Sequence, residues 1–153
     1  MKKKLTEKEK NHYRTLATRE KLPDFSCNRK SVEEYKQELK QEVFRIMFTD
    51  GTEPAFSHPL HDNKEEGIYY CAACGQPLFG SEAKFDSGTG WPSFYAPLAP
   101  ECLDFEEDYF LIMPRTAVLC SCCNGHLGHV FEDGPAPTFL RFCMNGTALK
   151  FNK

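Results

Sequence analysis

The chain has 153 residues, of which 41% are hydrophobic and 27% charged, and a formal net charge of −3. That length is enough for one domain with its own buried core. The near-balanced charge leaves no electrostatic footprint for a nucleic acid or an anionic membrane, so neither is expected as a partner.

At the start, Lys2, Lys3 and Lys4 are followed by Thr6-Glu7-Lys8-Glu9-Lys10-Asn11, not by an apolar stretch. No run of about twenty apolar residues occurs anywhere, so the cytoplasm is the expected compartment. In that setting the eight cysteines read as metal ligands or reactive thiols before they read as a disulfide framework. Thr6 and Glu9 have capping-box spacing, and Tyr13, Leu16 and Ala17 form a narrow apolar face, which predicts a mostly solvated helix over 5–21. Pro23 ends it and leaves Cys27 in a broken segment. Ser31 and Glu34 repeat the capping-box spacing. Val32, Tyr35, Leu39, Val43 and Ile46 then recur at three- and four-residue intervals, predicting a stronger helix over 32–47. Residues 49–66 carry no period and read as an ordered loop.

From Gly67 the character changes to short strand-like runs at 67–71, 108–113, 115–120, 129–131, 138–143 and 147–151. The expected fold is mainly β, an antiparallel sheet or small barrel, with a helical N-terminal extension at 1–48 and the functional domain at 49–153. Two segments share one plan: Cys71-Ala72-Ala73-Cys74-Gly75 and Cys120-Ser121-Cys122-Cys123-Asn124-Gly125. Each turn puts two sulfurs on one side, and two such turns complete a tetrahedral site. Cys71, Cys74, Cys120 and Cys123 are therefore expected to hold one structural zinc ion, with no open position for catalysis. A pair of redox dithiols is the alternative. A set of Cys120, Cys123, His126 and His129 leaves too little chain to wrap an ion and orphans Cys71 and Cys74. Cys122 reads as a bystander inside the second turn.

The run Leu140-Arg141-Phe142-Cys143-Met144-Asn145 alternates, so on a strand Arg141, Cys143 and Asn145 share a face. The guanidinium is expected to favour the Cys143 thiolate, which is the nucleophilic form. His126 and His129 precede it, and Trp91, the one tryptophan, lies in a Gly-Thr-Gly-Trp-Pro loop. Each residue has an ordinary structural reading alone, as a half-buried cysteine, a solvated arginine or a satisfied histidine. Together they supply a nucleophile, proton donors and an aromatic wall.

These residues sit in longer motifs, in order: Phe85-Asp86-Ser87-Gly88-Thr89-Gly90-Trp91-Pro92-Ser93-Phe94, Gly125-His126-Leu127-Gly128-His129-Val130-Phe131-Glu132-Asp133-Gly134-Pro135 and Arg141-Phe142-Cys143-Met144-Asn145, closed by Leu149-Lys150-Phe151. With the first cysteine turn, they make residues 49–151 closely resemble the B-type peptide methionine sulfoxide reductases. The resemblance implies two small antiparallel sheets forming an open, zinc-stabilised barrel of the Mss4-like or β-tent kind, with the zinc opposite the active site. It also implies reduction of the R epimer of methionine sulfoxide in proteins or peptides, with thioredoxin as the final reductant. A monomer is the expected state.

Carried over position by position, Cys143 corresponds to the nucleophile that attacks the sulfoxide sulfur. His126, His129, Arg141 and Asn145 correspond to the polar groups around it, Trp91 to the wall around the S-methyl group, and Asp133 to a supporting group behind them. A sulfoxide oxygen leaves only once protonated, so one of the two histidines is the expected donor, and the sequence does not say which. The product on the enzyme is a sulfenic acid, which a second thiol converts to a disulfide. Many members carry that thiol between the two glycines of Ser-Gly-x-Gly-Trp-Pro, where this chain has Thr89. Cys27 is the first candidate in its place, Cys102 the second and an external thiol the third, while Cys122 is expected to stay near the metal. Two other classes fit parts of the chain. One is a non-catalytic zinc-ribbon-like protein-interaction module presenting Trp91 and the loops. The other is a zinc-dependent hydrolase or lyase, which needs an open metal position.

Overall fold

Two antiparallel sheets form the body of the computed structural model, which describes residues 2–14, 16–109 and 113–153. In chain order the strands are β1 (Lys2–Lys4), β2 (Ile68–Cys71), β3 (Pro77–Gly80), β4 (Lys84–Phe85), β5 (Ser93–Phe94), β6 (Leu103–Asp108), β7 (Arg115–Cys120), β8 (His126–Phe131), β9 (Arg141–Met144) and β10 (Leu149–Asn152). Seven of them make one sheet in the order β1-β6-β7-β8-β9-β5-β4, and the second sheet has the order β10-β2-β3. Among the described residues the large sheet does not close on itself, so it is not a closed barrel.

Aromatic residues hold the sheets face to face. Tyr69 and Phe79 come from the small sheet, Phe94 and Phe142 from the large one, and all four are fully buried. Phe79 stacks on Phe94 at 4.3 Å between centroids, Tyr69 meets Phe94 edge-on at 4.9 Å, and Phe79 lies 5.8 Å from Phe142. Burying each ring contributes about 1.5–3 kcal/mol, so this seam contributes substantially to holding the sheets together.

Strands β2, β7 and β10 fall close to their expected places. Of the run expected at 108–113, Asp108 is the last residue of β6, Tyr109 and Met113 are in no strand, and 110–112 lie outside the described residues. Leu103 and Phe105 of β6 point to the core, but the acidic residues between and after them hid the alternation. Strand β1 was hidden in the same way. Its lysines pair in register with Asp108, Glu107 and Glu106 of β6, and Lys2 reaches Glu106 at 3.3 Å.

The N-terminal third departs most from expectation. Its helices are α1 (Glu7–His12), α2 (Val32–Glu38) and α3 (Gln41–Phe48). Both capping boxes form, Thr6 with Glu9 and Ser31 with Glu34. The helix expected over 5–21 ends at His12, because Tyr13 turns onto Phe105 and the chain beyond joins the body by main-chain bonds, Thr18 N–H to Pro97 and Arg19 N–H to Leu98. The helix expected over 32–47 breaks at Leu39, which is extended. The break lets Phe48 stack on Tyr35 at 5.1 Å. In one unbroken helix they would lie about 20 Å apart along the axis. Between α1 and α2 a disulfide joins Cys27 to Cys122. Of the described residues among the first 48, Tyr35, Ile46 and Met47 are buried in the common core. No helix among the described residues is long and apolar enough to cross a membrane.

Candidate active site and metal centre

The two cysteine turns fold alike. In the first, Gly75 N–H donates to Cys71 C=O and Cys71 N–H to Gln76 C=O. In the second, Asn124 N–H donates to Cys120 C=O and Cys120 N–H to Gly125 C=O. Each turn needs one left-handed residue, Gly75 at φ 84° and Asn124 at φ 64°, the residue types that tolerate that region best. The four sulfurs of Cys71, Cys74, Cys120 and Cys123 all lie within 4.8 Å of one another, with Cys71 to Cys123 at 3.6 Å and Cys74 to Cys120 at 3.5 Å. The edge of a tetrahedron of thiolates around zinc is about 3.8 Å, so the donor set and its spacing fit that ion. Gly125 N–H and the Gln76 amide donate to Cys123 and Cys120 sulfurs. Such bonds suit thiolate charge.

At the other end of β7 and β8 lies a cleft of about 250 Å³. Strand pairing builds it: Cys143 of β9 stands opposite His129 of β8 on one side and Ser93 of β5 on the other. Gly128 makes the strands fit, since a Cβ there would lie 2.1 Å from the Cys143 carbonyl oxygen. The cleft brings together Trp91, His129, Arg141, Cys143 and Asn145 of the residues singled out in the sequence; His126 and Asp133 do not line it but meet His129 and Arg141, which do. Arg115 lines it and Cys120 holds the metal end of the same strand, about 17 Å along β7.

Arg141 does not face Cys143 alone. Its guanidinium makes two bonds to Asp133, at 2.9 and 3.1 Å, and lies 4.4 Å above the Phe131 ring. Burial pushes the Cys143 thiol above its usual range, while the Arg141 charge and hydrogen bonding from Thr89 and Arg141 pull it down by less. The expected influence of the guanidinium thus has the right direction but is the smaller effect.

His129 Nε2 lies 3.0 Å from Asp108 Oδ2, and Arg115 approaches the same oxygen at 3.3 Å. His126 is buried 5.2 Å from the His129 ring, and its Nδ1 has no hydrogen-bond partner among the described residues. Burial lowers both imidazoles, His126 to about 4. Trp91 Nε1 donates to the Glu53 carbonyl at 3.0 Å. The Asn145 amide accepts from Glu53 N–H at 3.0 Å and donates to Leu127 C=O at 3.1 Å, which fixes its orientation.

A family model described as the SelR domain matches residues 39–153. The peptide methionine sulfoxide reductase MsrB of Leptospira interrogans is 52% identical over 124 residues, covering 81% of this chain and 95% of that protein. The MsrB of Methanosarcina barkeri is 52% identical over 122 residues (80% and 86%), and that of Hahella chejuensis 49% over 124 residues (81% and 89%).

The chain belongs to the SelR family, the B-type methionine sulfoxide reductases.

In this B-type reductase the cysteines outside the metal set take unexpected places. Cys122 is no bystander, because Cys27 bonds to it across 95 residues of sequence. The Cys27 sulfur is thereby engaged beside the metal turn. Cys102 is fully buried, donates to the Leu78 and Ala99 carbonyls, and is pushed up to about 12 by burial. Neither lines the cleft with Cys143, whereas Thr89, between the two glycines, does. Sequence reasoning missed Glu53, Asp108 and Arg115. Asp108 was read only as the start of a strand-like run and Glu53 as part of a loop without period, so only their burial reveals them.

Proposed function

We propose that the protein reduces the R epimer of methionine sulfoxide in proteins or peptides, with Cys143 as the nucleophile. The observation that carries this reading is the thiol of Cys143 lining one cleft with Trp91 and His129. A thioether needs an apolar wall for its methyl group, and the indole face offers one. The Cys143 thiolate attacks the sulfoxide sulfur, whose oxygen takes a proton. The hydroxyl then passes from that sulfur to Cys143 as the transient sulfur–sulfur bond breaks, releasing methionine and leaving the sulfenic acid, so the thiol is oxidised by two electrons and the sulfoxide reduced by two. His129 is the donor we assign, since it lines the cleft and His126 does not. Arg141, steadied by Asp133, and the fixed Asn145 amide position the substrate oxygen.

A second thiol then condenses with the sulfenic acid, releasing water and forming a disulfide. In the state described, Cys27 is bonded to Cys122 and Cys102 is sealed. We therefore assign the step to an external thiol, with thioredoxin as the physiological reductant. Cys27 reaches that role only once its own bond opens. Cys71, Cys74, Cys120 and Cys123 would hold the structural zinc, which supplies a cross-link between the two turns and no chemistry at the cleft. The proposed working form is a cytoplasmic monomer with 49–153 as the catalytic domain.

The test is an assay on R- and S-sulfoxide peptides with dithiothreitol, comparing the parent with Cys143→Ser. Turnover of the R peptide alone, abolished in the variant while the fold is kept, is the expected result. Equal rates in both proteins would end this reading and favour a binding module.

A further inference from the structure

Glu53 is 4% exposed and follows Thr52, a residue of the cleft wall. Its side chain accepts three hydrogen bonds. Gly146 N–H donates to Oε2 at 3.0 Å, and both Thr147 N–H and the Thr147 hydroxyl donate to Oε1, at 2.8 and 2.7 Å. These donors belong to the 3-10 turn Gly146–Ala148, which follows β9 directly after Asn145. A buried carboxylate with its oxygens bonded in this way is a strong anchor, because breaking it orphans buried groups on both sides.

The main chain of the same residue carries different contacts. Its carbonyl accepts the Trp91 indole N–H, and its N–H donates to the Asn145 side-chain oxygen, both at 3.0 Å. Trp91 and Asn145 come from separate parts of the chain, yet both line the cleft with Cys143. The side chain thus fastens the loop to the end of the nucleophile strand, and the main chain uses that fixed point to orient a ring and an amide.

We propose that Glu53 is a positioning residue for sulfoxide reduction: its carboxylate holds the 52–54 main chain so that Trp91 and Asn145 keep their places around the substrate. It touches no reacting atom and acts through those two side chains. The kinetic part of this inference rests on the proposed reductase reading, but its spectroscopic part does not.

Glu53→Gln keeps the shape but has one acceptor oxygen, so an amide N–H must face a main-chain or hydroxyl donor at one anchoring point. Trp91 is the one tryptophan of the chain, so its fluorescence reports the ring without interference. Glu53→Gln should shift the emission to the red and raise acrylamide quenching. It should lower kcat/KM on a methionine-R-sulfoxide peptide about tenfold, mostly through KM, since small displacements of positioning groups cost that much or more. Alkylation of Cys143 by iodoacetamide should stay within about twofold of the parent, because the anchor does not touch the sulfur. In a Trp91→Phe background, which lacks the indole N–H, the kinetic cost of Glu53→Gln should shrink, as coupled residues require. Glu53→Asp restores both oxygens one methylene short and should recover part of the loss. It carries the same measurements if Glu53→Gln fails to fold.

A variant that melts earlier yet keeps the parent's kcat/KM and tryptophan spectrum makes Glu53 merely structural and overturns the proposal. So does a kinetic cost undiminished by Trp91→Phe. If the parent reduces no sulfoxide, the reductase reading fails instead, and the fluorescence comparison still decides whether Glu53 holds Trp91.

Discussion

His129 and Asp108 meet at 3.0 Å between Nε2 and Oδ2, inside the sheet and next to the cleft. Burial holds the imidazole below its usual range, so it is neutral near pH 7. A carboxylate only accepts, so the neutral ring carries its proton on Nε2. In the proposed reaction Nδ1 first takes up the proton that Cys143 gives up, and the charged ring, steadied by Asp108, passes it to the sulfoxide oxygen. Asp108→Asn removes the preference for Nε2, because an amide can turn either end to the ring. The expected result is a fall in kcat/KM of about ten- to a hundredfold with unchanged alkylation of Cys143. Parent-like turnover would remove His129 orientation from the mechanism.

The Cys143 thiol sits above its ordinary value, chiefly by burial and against the pull of Arg141. Its alkylation rate should therefore climb with pH into the alkaline range, with a midpoint above that of a free thiol. Arg141→Ala removes the opposing positive charge, so the midpoint should move further up and the rate at neutral pH should fall. A midpoint below the free-thiol value in the parent would contradict this account.

His126 is pushed down to about 4 by burial. Its folded value lies below the unfolded one, so the unfolded chain binds the proton more readily between them. The neutral ring's contribution is fully present above about pH 6.5 and drains away as pH falls toward about 4, amounting to on the order of 3 kcal/mol. Denaturant melts of the parent and of His126→Gln between pH 7 and 4 check it: the variant should lose less stability on acidification.

Alkylation without prior reduction, followed by peptide mapping, should label Cys143 and leave Cys27 and Cys122 joined. After one turnover without reductant the same pair should remain, with Cys143 trapped as sulfenic acid by dimedone. A Cys27–Cys143 link with Cys122 free would show that the existing bond exchanges and that Cys27 resolves. Cys27→Ser should cost about 2–4 kcal/mol of stability under non-reducing conditions.

Cys71→Ser removes one of the four clustered sulfurs. Loss of bound zinc and of cooperative unfolding is expected, because ion binding and folding are linked at such sites. One zinc per chain, tightly retained by the variant, would contradict the four-cysteine assignment.

Much of this molecule was legible before folding. Cysteine spacing is local, so both metal-type turns could be read directly, and so could the two capping boxes and the alternation around Cys143. What escaped depends on contacts between distant segments. Nothing near Leu39 announces a break, since its cause is Tyr35 meeting Phe48. Cys122 looked idle because its partner is 95 residues away. The arginine beside Cys143 was visible, whereas the larger effect of burial appears only when β5 and β8 close around β9. Strands β1 and β6 were obscured by charge, which usually marks solvated chain and here marks a ladder of lysines against acids.

That ladder bears on how separate molecules meet. The outermost strand of a sheet offers free N–H and C=O groups to any neighbour, which is how fibrils begin. In the large sheet one such margin is the stretch Lys2–Lys4. Two molecules approaching along it would bring like charges together, so the opening lysines discourage polymerisation. Trimming them would bare the flank of Leu103–Asp108 and make the protein prone to clump.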